Sequence, residues 1–93
     1  MTITAKGSSL VVNGEHIAEQ LCGIREKLAN EGPEVLLDFF FVQTLDPAGI
    51  RGLEDLAGAA EPLKIKLVLR GVNVELYKVL KLAQLTDKFL FMN

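Results

Sequence analysis

The chain has one cysteine, one histidine and no long apolar run, and each of these shortages removes a class of function. A lone thiol, Cys22, cannot close an internal disulfide, and with His16 as the only histidine the chain cannot supply the ligand set of a structural zinc site. A membrane-spanning helix needs about 20 mostly apolar residues, far more than any uncharged apolar run here. The opening Met1-Thr2-Ile3-Thr4-Ala5-Lys6 lacks the apolar core and cleavage signature of a secretory signal, so a cytoplasmic location without direct membrane insertion is expected. There is no excess of basic residues either. Ten Lys and Arg stand against twelve Asp and Glu, a net charge of −2. Nucleic-acid binding relies on cations that displace counterions from phosphates, so no nucleic-acid partner is expected. No segment has the glycine pattern of a P-loop or a dinucleotide cradle, because Gly49, Gly52 and Gly58 fall inside a helical pattern at spacings suited to packing.

What remains is a chain of 93 residues, 49% of them apolar, enough for one well-packed domain over residues 1–93 with room for one site. Its charge is unevenly distributed. Up to Glu61 there are ten acidic and four basic residues; from Pro62 onward there are six basic and two acidic ones. Such a dipole suits steering of a charged protein partner, although solvated faces of ordinary helices explain it as simply.

Periodicity divides the chain into alternating strands and helices. Thr2 to Lys6 and Ser9 to Val12 read as short strands, with Gly7-Ser8 as a tight hairpin turn between them. From Glu15 to about Asn30, Ile17, Leu21, Ile24 and Leu28 recur on one helical face, and Glu31-Gly32-Pro33 stops the helix. Glu34 to Val42 is apolar on both alternating faces, as in an interior strand covered from both sides, with Asp38 the exception. Phe39, Phe40 and Phe41 read as core; if helices cover only one sheet face, Phe40 instead joins an exposed apolar patch. Asp46 then caps a helix with Pro47 at its first position, and Ile50, Leu53, Leu56, Ala57 and Ala60 form its inner face. Leu63 to Leu69 reads as a strand, Arg70-Gly71-Val72-Asn73 as a turn, and Asn73 as the cap of a helix with Leu76, Val79, Leu80 and Ala83 inward. The order is β-β-α-β-α-β-α with a further short apolar tail. That implies an α/β domain with a mixed, mostly parallel sheet of four to five strands and three to four helices.

Two blocks resemble a known family, the STAS domains of sulphate transporters and anti-sigma factor antagonists. In the first, an apolar strand carries Asp38, an eight-residue step leads to Asp46, and Gly49-Ile50 closes the motif. The second runs from Lys66 to Phe89 and is similar to the family's closing strand, glycine turn, helix and Leu-plus-Asp ending. The resemblance implies a non-enzymatic, protein-binding module without a cofactor. In the antagonists, the loop and helix start at this motif dock on an anti-sigma kinase, and phosphorylation there blocks docking. The residues here that map onto this surface are Thr44, Asp46, Pro47, Ala48, Gly49, Ile50 and Arg51, with Ala48 and Gly49 expected to let a partner's backbone approach closely. The family's acceptor hydroxyl is missing, because Pro47 and then Ala48 follow Asp46. An anti-sigma kinase-like partner is therefore implied without the usual phosphorylation site, and Thr44 is the nearest alternative hydroxyl. Gly71-Val72-Asn73 followed by Tyr77 resembles instead the small STAS subunits that sit on the ATPase of lipid-transport ABC systems, so an ABC ATPase is the alternative partner, and a homodimer stays open.

Catalytic readings find little to rest on. His16 and Cys22 are six residues apart on a helix, about 120° from each other around its axis, and should not meet as base and nucleophile. Asp38 and Asp46 could be imagined as an acid–base pair or a magnesium site, but Asp46 is better used as a helix cap, so no metal is expected.

Overall fold

The computed structural model describes residues 7 to 92, with side chains from residue 9 onward. Four strands, β1 (Gly7–Val11), β2 (Glu34–Asp38), β3 (Lys66–Arg70) and β4 (Leu90–Met92), alternate with three helices, α1 (Ile17–Glu26), α2 (Pro47–Leu63) and α3 (Val74–Leu82). A short 3-10 turn, Leu28–Asn30, follows α1. The strands form one fully parallel sheet in the order β1-β2-β3-β4. The order β-α-β-α-β-α-β agrees with the α/β class expected from the sequence, and the apolar tail is its fourth strand. The expected strand Thr2 to Lys6 lies outside the described residues. Gly7-Ser8 is not a hairpin turn: both residues pair within β1, opposite Glu34 and Val35 of β2.

Strand order and connection handedness together decide which side of the sheet is covered. Each crossover moves one place along the sheet in the same direction, and right-handed crossovers then put all three helices on the same face. The core agrees. Val35, Leu37, Leu67 and Leu69 of the sheet share one buried cluster with Leu21 of α1, Leu53 and Leu56 of α2, and Leu76 and Leu80 of α3. The alternate residues form registered rows on the other face: Ser9, Leu36, Val68 and Leu90, then Val11, Asp38, Arg70 and Met92. Val68 is buried but stands apart from the helix-side cluster. Among the described residues the helices thus cover the sheet on one side, not on both as the continuous apolar run of β2 suggests.

Element ends differ from the periodic reading for local reasons. The first helix stops at Glu26, because Lys27 donates its N–H to the Ile24 carbonyl and tightens the chain into the 3-10 turn. Helix α2 runs through Pro62 to Leu63. Pro62 has no N–H to offer the Gly58 carbonyl, and Gly58 is exposed, where water can take that role. Strand β3 accordingly starts at Lys66, three residues later than expected.

Both caps anticipated from the sequence are formed. The Asp46 side chain accepts from Gly49 N at 2.8 Å, and the Asn73 side chain accepts from Leu76 N at 2.7 Å. Asn73 also donates through Nδ2 to the Gln43 carbonyl at 3.2 Å, tying the loop before α3 to the loop before α2. Replacing Asn73 with Ala removes both bonds and is expected to cost about 1–2 kcal/mol. For a domain of this size that lowers the thermal midpoint by roughly 4–16 °C, readable by circular dichroism; an unchanged midpoint would mean that solvent replaces both bonds without loss.

Candidate functional site

In a parallel sheet with helices on one side, the loops leaving the strands' carboxyl ends gather at one edge, and binding surfaces are built there. Three loops meet at that edge here. The first, Asn13 to His16, is held by Gln20 of α1, which accepts from Asn13 N at 3.1 Å and donates to the Glu15 carbonyl at 2.6 Å. The second, Phe39 to Asp46, leads into α2, and the third joins it through Asn73. Between the first two lies a shallow cleft lined by Asn13, Gly14, Glu15, Phe41, Gln43 and Thr44. A neighbouring depression runs from Thr44 and Asp46 to His16 and Glu19.

The loop before α2 turns where the sequence suggests that the strand continues. Phe39 N donates to the Arg70 carbonyl at 2.7 Å, Asp38 Oδ1 accepts from Phe40 N at 3.0 Å, and Val42 N donates to the Phe39 carbonyl at 2.9 Å. This reversal buries Phe39 and Val42 and leaves Phe40 72% and Phe41 60% exposed. The two exposed rings stack edge to face with centroids 5.4 Å apart. Phe39 is therefore core as expected, whereas Phe40 follows the exposed-patch reading and Phe41 joins it. Gly71, at φ +75°, permits this arrangement, since a Cβ there would stand 3.1 Å from the Phe40 backbone.

The residues mapped by resemblance divide into an outer and an inner set. Thr44, Asp46, Pro47, Ala48 and Arg51 are exposed, Ile50 is half-buried and Gly49 is buried. A Cβ on Gly49 would lie 2.9 Å from Leu45 Cδ2 and 3.2 Å from Asp46 Oδ1. Gly49 thus makes room for the buried Leu45 and the cap and is not open to a partner's backbone; that part of the expectation is corrected. Ala48 remains the small, open position. Phe41, Gln43 and the Asn13–Glu15 loop are neighbours of Thr44 that motif spacing does not point to, because the topology and not the sequence interval brings them together.

The side chains considered above for chemistry lie apart and make local contacts. His16 Nδ1 lies 3.1 Å from Glu19 Oε1 on the surface, and Cys22, an exposed free thiol, has Glu26 Oε2 at 4.0 Å. The carboxylates of Asp38 and Asp46 each accept a backbone N–H at the start of a turn or a helix. Among the described residues no group of three or more His, Cys, Asp or Glu lies together, and no helix is long and apolar enough to cross a membrane.

Comparison with known proteins agrees with this geometry. The family model described as STAS domain matches residues 2–93. No curated protein matches the chain. Among solved structures, it is similar to the STAS domain of a SulP transporter from Vibrio cholerae, with 14% identity over 98% of this chain and 77% of that one and a TM-score of 0.78. It is also similar to a variant of RsbS from Moorella thermoacetica, with 16% identity over 97% and 82% and a TM-score of 0.74. The anti-sigma factor antagonist SpoIIAA in its unphosphorylated form has 12% identity over 99% and 84%, with a TM-score of 0.68. At these identities the likeness is one of fold.

Proposed function

The chain belongs to the STAS domain family, and on that premise we propose that it is a non-enzymatic, cytoplasmic protein-binding module of the anti-sigma antagonist type. It docks on an anti-sigma kinase-like protein through the start of α2 and the loop before it. The observation that carries this reading is the surface formed by Thr44, Pro47, Ala48 and Arg51. It is open, with the small side chains of Thr44, Pro47 and Ala48 beside Arg51, around a helix start where the Asp46 side chain accepts the Gly49 N–H. In the anti-sigma antagonists, docking is switched off by a phosphate, which adds nearly two negative charges and a desolvation cost to the interface. Pro47 stands at the acceptor position, so the module is permanently competent to bind. A homodimer would involve other surfaces than this one.

The test uses the purified chain, an anti-sigma kinase and radiolabelled ATP. The native chain is expected to take up no label on residues 44 to 52 and to stay bound in the presence of ATP, whereas Pro47→Ser acquires label and is released. Label on Thr44 together with release of the native chain would show that the switch has moved and contradict permanent docking. Stable association with an ABC ATPase and none with the kinase would favour the accessory-subunit role suggested by the Gly71-Val72-Asn73 turn.

A further inference from the structure

The sheet face that the helices leave uncovered carries a charge pattern that matches itself. On this face β2 presents Glu34, Leu36 and Asp38, and β3 presents Lys66, Val68 and Arg70, in direct register: Glu34 beside Lys66, Leu36 beside Val68, Asp38 beside Arg70. One central strand is thus acidic at both ends and its neighbour basic at both ends, with an apolar pair between, of which Val68 is already buried within the chain and Leu36 half-buried. Among the described residues none of the four charges is used as an ion pair. Among the described residues the ion pairs are His16 with Glu19 and Glu75 with Lys78. Outside this centre, Val11 on β1 and Leu90 and Met92 on β4 leave large apolar surfaces exposed on the same face.

Two ways of laying one such face on another by a two-fold axis differ sharply in energy. An axis across the strands sets β2 on β2 and β3 on β3, opposing Glu34 to the second copy's Asp38 and Lys66 to its Arg70, which places like charges together. An axis along the strands, between β2 and β3, sets β2 of each copy over β3 of the other. Glu34 then faces Lys66, Asp38 faces Arg70, Leu36 faces Val68, and β1 with Val11 lies over β4 with Met92. Every charge meets its opposite, and the symmetry makes each contact twice. Strand directions stay aligned, as in packed sheets about 10 Å apart, a gap that Glu and Lys side chains can span from both sides.

We propose that this chain associates with a second copy of itself through the sheet face opposite the helices, along this strand-parallel two-fold axis. The face is small. Four strands about 4.8 Å apart and five residues of about 3.3 Å each give on the order of 300 Å² per copy, less than the roughly 800 Å² per partner of a standard stable interface. The dimer is therefore weak, dependent on concentration and weakened by salt. It lies on the opposite side of the sheet from α2, so it does not rest on the docking proposal.

Sedimentation equilibrium over a wide concentration range tests it, using the full chain and two surface variants, Glu34→Lys and Lys66→Glu. The native chain is expected to move from monomer toward dimer mass as concentration rises. Each variant, by opposing two pairs of like charges, should weaken that association at least tenfold. An equimolar mixture of the two should recover it to within about threefold of native, since residue 34 of each chain then meets a residue 66 of opposite charge. Recovery on mixing also excludes misfolding as the cause of the loss. A native chain that remains monomeric throughout, variants that associate like the native chain, or a mixture no better than its components would each overturn the proposal.

Discussion

Phe39→Ala is expected to destabilise the protein by about 3–5 kcal/mol, while Phe40→Ala and Phe41→Ala each change stability by about 1 kcal/mol or less. The three residues are identical and consecutive, so composition and propensity predict equal effects. Position separates them. Phe39 is fully buried among the strand and helix residues of the core, and truncation there leaves a cavity that close-packed neighbours fill only in part. Phe40 and Phe41 lose little more than their edge-to-face contact with each other. Small domains have only about 5–15 kcal/mol in total, so Phe39→Ala should shift the urea midpoint far down or leave the chain largely unfolded. Equal shifts for Phe39 and Phe40 would contradict the turn at Asp38 and return β2 to the longer strand that its apolar run suggests.

Ala48→Glu is expected to weaken binding of an anti-sigma kinase-like partner about 100-fold without lowering the thermal midpoint. The two effects have opposite signs for a physical reason. Ala48 lies exposed in the first turn of α2, where a carboxylate interacts favourably with the helix dipole by about 0.3–1 kcal/mol, so the free protein loses nothing. In the complex, the same carboxylate has to give up its water without a cation to meet it, at a cost of several kcal/mol, and about 3 kcal/mol corresponds to the stated loss. Titration calorimetry beside a melting curve separates the two quantities. Unchanged affinity would move the interface elsewhere, with the exposed Phe40–Phe41 pair as the next surface to alter.

The parts of the fold that the sequence makes legible are those governed by neighbours a few residues away. Asp46 followed by Pro47, and Asn73 three residues before Leu76, announce helix starts because the capping bond spans only three residues. The inner faces of α2 and α3 follow from helical spacing in the same way, with Leu53, Leu56, Leu76 and Leu80 buried. The end of β2 depends on longer reach. Its apolar run gives no sign of stopping, and the turn is fixed partly by the bond from Phe39 N to the Arg70 carbonyl, a residue supplied by another strand. Alternation alone likewise cannot say whether one sheet face or both are covered, since Leu36 and Val68 are apolar on either account; the strand order with its handed crossovers decides it. At the candidate site, Asp46 to Arg51 are visible as a motif. Gly49's burial under Leu45 and the approach of Asn13 to Glu15 depend on contacts that spacing does not encode.

The most direct test of docking through the start of α2 is mass spectrometry of the proteins that co-purify with the tagged chain from its host's lysate, native and Ala48→Glu in parallel. Docking at this surface predicts that a kinase of the anti-sigma type is retained by the native chain and lost from Ala48→Glu, with the rest of the recovered proteins unchanged. Recovery of the same kinase by both chains, or retention by both of an ABC ATPase with its permease, would contradict it.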